Sequence, residues 1–270
     1  MRCHLRSFVA AAALAAAADV SAQPSSPPAA IEEPSRGWSA LAGYEVFSLR
    51  DISRNLRPPD ASPVSWRGGG PAVTGRFEQS RLRSAHLVEV SMSNEGNFSY
   101  DSQAQSLAAS SSDSAARFDG RYEYRRYFWR DVGADGFDIG VGAQGVANRL
   151  AFDRHITPDL STRTRITGGG LAGVISLRVR RWDRVQFDAA WANGAMVSSR
   201  TSEHSASPDS KVSSSGGNWL TDTFIRADWR LTRTMMLSAH WRFAYEGYQS
   251  SHYAYAGYRH SLNVGVRYAL

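Results

Sequence analysis

Leu262-Asn263-Val264-Gly265-Val266-Arg267-Tyr268-Ala269-Leu270 closes the chain, and its reading decides the fold. Leu262, Val264, Val266, Tyr268 and Leu270 alternate strictly with Asn263, Gly265, Arg267 and Ala269. Successive side chains of a β-strand point to opposite faces, so this stretch has one apolar and one polar face. Upstream, Tyr258 and Ala256 continue the apolar row, while Ser261, Arg259 and Gly257 continue the polar one. Only His260 interrupts the apolar row.

The same ending resembles the C-terminal insertion signal of bacterial outer-membrane β-barrel proteins. That signal runs polar, any, Gly, any, any, aromatic, any, then hydrophobic or aromatic. Asn263, Gly265, Tyr268 and Leu270 stand at the matching positions, and the final Leu departs from the Phe that most members carry. The resemblance implies a closed barrel in contact with outer-membrane lipid, handled on its way by periplasmic chaperones and the barrel assembly machinery.

The start of the chain reads as an export signal. Arg2, His4 and Arg6 precede an Ala-rich apolar run from Phe8 to Ala18, and Val20-Ser21-Ala22 supplies small residues for cleavage before Gln23. The run is well short of the ~20 apolar residues of a spanning helix. Residues 1–22 are therefore expected to be a signal peptide and 23–37, with Pro24, Pro27, Pro28 and Pro34, a periplasmic linker. Residues 38–270 remain for the barrel. Cys3 is the only cysteine and leaves with the signal. The mature chain then has no disulfide, zinc–thiolate site, cysteine nucleophile or lipid-anchoring cysteine. The formal charge is +6 and Lys211 is the only lysine. Arginines are spread through alternating segments instead of forming one basic tract, which argues against nucleic acid as a partner.

Working back from the C-terminus, the alternation repeats. Met235 to Gly247 sets Leu237, Ala239, Trp241, Phe243 and Tyr245 against Ser238, His240, Arg242 and Glu246. Trp219 to Leu231 sets Ile225, Ala227 and Trp229 against Asp222, Arg226, Asp228 and Arg230. The same period runs through Val185–Val197, Leu171–Val179, Phe137–Ala147 and Phe118–Trp129. Ala85–Ser93 is weaker, and Ala72–Gln79 and Gly43–Arg50 have mixed faces. The fold expected is all-β: a closed antiparallel transmembrane barrel of about ten strands, within a range of about eight to twelve. A lipid bilayer demands closure, because an open sheet edge would leave backbone groups unpaired.

Short connections near Ser80–Ser84, Asp131–Gly136, Trp182–Arg184 and Thr232–Thr234 alternate with longer ones at Ile52–Gly70, Asn94–Ala116, Asp153–Arg163 and Ser198–Gly217. Short periplasmic turns and long external loops give this pattern. The Ser-rich stretches 106–114 and 202–217 read as solvated, mobile loops. Trp182, Trp229, Tyr268, Phe128 and Trp129 fall near the short turns, and Trp219, Tyr245 and Tyr258 near the loop ends. Two such groups suit interfacial aromatic girdles.

If the apolar rows face lipid, the polar rows face the lumen. The residues expected there are Arg121, Glu123, Arg125, Asp138, Arg178, Arg180, Asp188, Asp222, Arg226, Asp228, Arg230, Arg242, Glu246, Arg259 and Arg267. Two readings follow. One is a network of ion pairs across the barrel, since an uncompensated charge in so narrow a lumen is costly. The other is a thin, Arg-lined pore that prefers anions. A surface-binding or structural role through the external loops accompanies either.

The alternative is a hydrolase, as in omptin-type proteases or lipid A and phospholipid hydrolases of outer-membrane barrels. His260 interrupts a lipid-facing row, but Ser261 points to the opposite face, so a triad would need partners from another strand. Glu246, His252, Asp153, His155 and His204 lie near the rim without forming a pair at defined spacing. His240 is expected to be a structural hydrogen-bonding residue beside Arg242. Gly168-Gly169-Gly170 lacks the Lys-Ser or Lys-Thr of a phosphate loop and reads as strand relaxation or a bulge. No cluster has metal-ligand spacing, so no catalytic residue, cofactor or metal is assigned.

Overall fold

The computed structural model describes residues 36–53, 64–81, 83–95, 99–102, 114–131, 135–157, 160–181, 184–204, 207–249 and 253–270. The strands are β1 (Arg36–Ser53), β2 (Val64–Arg81), β3 (Ser84–Glu95), β4 (Ser99–Ser102), β5 (Ser114–Arg130), β6 (Phe137–Thr157), β7 (Leu160–Arg181), β8 (Val185–His204), β9 (Ser207–Arg230), β10 (Met235–Gln249) and β11 (Tyr253–Ala269). Each pairs antiparallel with its neighbours, and β1 pairs with both β2 and β11, which closes the sheet on itself. The short β4 follows β3 along the same edge of β2, so β3 and β4 together make one stave of a ten-stranded barrel.

The seam between β1 and β11 explains the glycine of the terminal motif. A Cβ on Gly265 would stand 2.0 Å from the Ala40 carbonyl oxygen, and one on Gly43 would stand 1.9 Å from that of Leu262. The first and last strands approach closely only because both positions lack a side chain. Of the rest of the motif, Asn263 is buried inside, whereas Tyr268 and Leu270 are exposed outside.

The sheet's two faces invert the usual arrangement. Leu171, Ile175, Val197, Trp229, Leu237, Leu262 and Val264 are exposed, while charged side chains fill the inside. Trp38, Phe128, Trp129, Trp229 and Tyr268 stand outward near the turn end, with Trp38 4.7 Å from Phe77. Trp219 and Tyr258 stand outward nearer the other end. Such an apolar band edged by aromatics suits hydrocarbon flanked by two interfaces.

Several expectations need correction. β1 begins at Arg36, inside the expected linker of residues 23–37; residues 1–35, with the expected signal peptide, lie outside the described residues. Trp182 and residues 106–113 also lie outside them. Two of the four long loops shrink to hairpin tips. β6 runs to Thr157 and β7 starts at Leu160; β8 runs to His204 and β9 starts at Ser207. The Ser-rich stretch read as a mobile loop is therefore mostly paired sheet, with Ser199 opposite Ser215 and Thr201 opposite Ser213. Beyond the lipid band the outward face meets water and the inward face carries buried Thr164, Ser198 and Ser202, so the apolar-outward period disappears although backbone pairing continues. The three glycines of β7 cause no bulge, since their register with β6 is continuous. Gly170 relieves crowding instead: a Cβ there would stand 2.5 Å from the Ala195 carbonyl oxygen. A register shift occurs between Tyr127 and Trp129, which leaves Phe128 and Trp129 both outward.

Candidate functional site: the barrel interior and its loop end

The inward row of each strand supplies the interior. Among the described residues, nine buried arginines (76, 117, 121, 125, 178, 226, 242, 259 and 267) are matched by nine buried carboxylates, those of Glu45, Glu78, Glu89, Asp119, Glu123, Asp138, Asp188, Asp222 and Asp228. Arg180 and Glu246 are half-buried at the two ends of this column. Arg230, expected inside, is exposed at the turn end, because β9 reaches water there.

Some pairs lie within one strand or on adjacent strands, and others reach across the barrel to strands that are not neighbours. Glu78 on β2 accepts hydrogen bonds from Arg178 on β7 and Arg226 on β9, each at 2.7 Å. Asp188 on β8 accepts from Arg125 at 2.5 Å and from Arg178 and Arg226 at 3.2 Å. Arg125 also donates to Glu123. Nearer the turn end, Asp228 accepts from Ser238 at 2.6 Å and Arg267 at 3.0 Å, and Arg180 grips Asp138 at 3.0 and 3.1 Å.

A second group lies above these. Asp222 takes a two-pronged contact from Arg242, at 2.8 and 2.9 Å, and further bonds from Gln144 at 2.7 Å and Arg121 at 3.2 Å. Arg121 also donates to Glu89 at 3.0 Å. A planar guanidinium matches a carboxylate edge in this way, which is why arginine and not lysine fills the lumen. Phe224 sits among the charges with Arg76, Arg121 and Arg125 at 5.3, 4.8 and 4.9 Å from its ring centre. It also belongs to an inward apolar layer with Ala172, Val174, Ala190, Ala192, Met196 and Leu220.

His240 does not take the hydrogen-bonding role expected of it. Neither ring nitrogen has a partner among the described residues, and the ring packs edge-on against Phe224 at 5.5 Å. The outward His260 lies 4.8 Å from Phe243 and 6.2 Å from Trp241, while Ser261 is buried inside the barrel.

Toward the loop end a third group forms. Arg117 pairs with Asp119 at 3.0 Å and with Glu246, and Arg259 pairs with Asp119 and lies 3.8 Å from Glu45. Beside it lies a cavity of about 20 Å³, lined by Phe47, Leu150, Ile166 and Ala244 as well as Arg117, Glu246 and Arg259. That is room for roughly one water molecule. The wall around it is uneven: β6, β7, β8 and β9 run for 21, 22, 20 and 24 residues, against 15 for β10. Since about 9–11 residues cross a bilayer, half of each long strand stands beyond it.

Of the rim groups, Asp153 and Glu246 have described side chains, and each sits in its own ion pair. Asp153 pairs with Arg163 at 2.8 Å. His155 and His204 are strand residues whose side chains lie outside the described residues, as does the whole of His252. Among the described residues, no group of three or more His, Cys, Asp or Glu could hold a metal ion. Sequence reasoning overlooked Glu45, Arg76, Glu78, Glu89, Arg117 and Asp119 as interior charges. Arg76 and Glu78 alternate with Gly75 and Phe77 on β2, but a glycine and Gln79 on the outward row blur the period.

No protein-family model matches the chain, and no curated protein does either. Solved structures do. The chain is similar to the outer membrane protease OmpT from Escherichia coli at TM-score 0.66 and 9% identity, over 91% of this chain and 99% of that one. Weaker likenesses are the outer membrane protein OprG from Pseudomonas aeruginosa, at TM-score 0.43 and 8% identity over 88% and 97%, and Ail of Yersinia pestis, at 0.33 and 9% over 87% and 99%. The closed ten-stranded sheet, its apolar exterior and the match to OmpT along nearly the whole chain agree: the chain has the fold of the bacterial outer-membrane β-barrel proteins.

Proposed function

We propose that this protein is a non-catalytic outer-membrane barrel with a plugged lumen, which does its work as a recognition surface at the loop end. The observation that carries this reading is the set of ion pairs that cross the interior, Glu78 to Arg178 and Arg226 above all. An anion-preferring pore calls for a ring of guanidiniums open to passing ions. Here nine buried arginines face nine buried carboxylates, and the pairs occupy the space through which a solute would travel. The plug leaves the tall wall of β6–β9 as the surface that meets a partner. On this reading the protein is cleaved before Gln23 and inserted in the outer membrane by the usual chaperones and assembly machinery.

The test is liposome swelling with small neutral, anionic and cationic solutes, paired with lipid- and peptide-hydrolysis assays on the same preparation. Swelling no faster than in protein-free vesicles, with no hydrolysis above background, is the expected outcome. Rapid swelling in an anionic solute would favour the pore. Hydrolysis that vanishes in His260→Ala would favour a lipid-facing hydrolase.

A further inference from the structure

The charges outside the interior are not evenly placed. Arg81 and Arg83 bracket the β2–β3 turn and Arg126 of β5 stands opposite Ser84 beside it, Arg230 and Arg233 lie at the β9–β10 turn, and Arg184 flanks the β7–β8 connection. All six are exposed, and none pairs with a carboxylate among the described residues. The exposed carboxylates described at this end are Asp131 and Asp135, in a single turn, and both already interact elsewhere. Among the described residues the buried charges balance nine to nine, so the interior does not offset this positive rim.

The six guanidiniums are carried on fixed backbone. The Arg83 carbonyl accepts from Tyr127 N at 2.9 Å, the Arg184 carbonyl accepts from Arg230 N at 2.7 Å, and Arg184 N donates to the Arg181 carbonyl at 3.2 Å. Directly toward the membrane stand the outward aromatics Trp129 and Trp229, next in sequence to Arg130 and Arg230. Such aromatics settle at headgroup level, so the arginines just beyond them lie at the depth of lipid phosphates. A guanidinium binds a phosphate through two parallel hydrogen bonds.

We propose that the arginines of the short turns form a ring that binds the phosphates of anionic phospholipids in the leaflet at that end of the barrel. The ring would gather such lipids around the barrel and hold it at a set depth. A soluble polyanion fits worse, because the charges surround the rim next to the lipid-facing aromatics instead of converging on one patch. The proposal rests on membrane insertion but not on the plugged lumen or on any activity.

The test uses the full protein in phosphatidylcholine vesicles carrying either brominated phosphatidylglycerol or brominated phosphatidylcholine, with tryptophan quenching as the readout. Insertion is checked separately by the heat-dependent shift in gel mobility that folded barrels show. Stronger quenching by the brominated anionic lipid is expected, by about fivefold in lipid preference per engaged arginine at low salt. That preference should fade as salt rises. It should drop sharply in the triple variant Arg81→Gln, Arg184→Gln, Arg233→Gln and persist in the corresponding triple Lys variant. Equal quenching by the two lipids in a folded, inserted protein would overturn the proposal, as would a preference that survives the three Gln changes. Should the Gln variant not fold, the salt titration decides on the wild type: a preference indifferent to high salt overturns the ring.

Discussion

Asp222 shows what a single residue does inside this barrel. Its carboxylate accepts from Arg242, Arg121 and Gln144, groups on three strands, and it is 2% exposed. Asp222→Asn keeps the shape but removes the nearer counter-charge of Arg242 and leaves Glu89 to serve both Arg121 and Arg242. Breaking a buried pair in this way costs about 3–5 kcal/mol. Urea unfolding in lipid or detergent, followed by the loss of the heat-dependent gel shift, should register a loss of that order. An unchanged midpoint would mean that water, not Asp222, satisfies Arg242. At this scale the facing of Asp222 was legible, because it alternates with Thr221 and Thr223 beside an apolar Ile225 row. Its partners were not. Alternation states which side of the sheet a residue occupies, whereas Arg121 and Asp222 meet only because closure brings β5 opposite β9. His240 makes the same point: its face could be read, but its packing against Phe224 depends on a neighbouring strand.

Elements were legible in proportion to how much of them lies in lipid. β10 and β11 are apolar outward along most of their length, and their limits match the alternation closely. β8 and β9 extend far beyond it, through Ser199–Thr201 and Ser213–Ser215, where neither face is apolar and only backbone pairing persists. β1 and β2 were blurred for another reason: glycines at the close β1–β11 approach and at Gly68–Gly70 remove side chains from the pattern. The length of β7 allows both regimes to be compared on one strand. Ile175 is 54% exposed within the outward apolar band, and Thr167 is exposed eight residues farther toward the loop end. Ile175→Arg should cost about 2–4 kcal/mol, as for a charge near the bilayer midplane, and Thr167→Arg about 0–1 kcal/mol. Folding yields of the two variants into vesicles would show the difference. Equal losses would move the boundary of the lipid band and shorten the external wall of β6–β9.

The whole molecule places an electrically balanced column inside an apolar jacket and leaves unpaired arginines at the short-turn rim. About eight strands enclose side chains alone and roughly 16–18 an aqueous channel, so ten strands can be filled. Arginine is long enough to fill them, reaching from β7 and β9 to Glu78 on β2. Barrel architecture was legible from period, turn spacing and the terminal motif together. The degree of filling was not, since strand number bounds a lumen while side-chain reach and pairing decide whether it stays open. Single-channel recording of the purified protein in planar bilayers tests that closure most directly. The ion-pair column predicts no sustained open level in the wild type, and brief openings in Arg226→Ala, which empties the space beside Glu78 and Asp188. A steady, anion-selective conductance in the wild type, altered by neutralising Arg178 or Arg226, would contradict it.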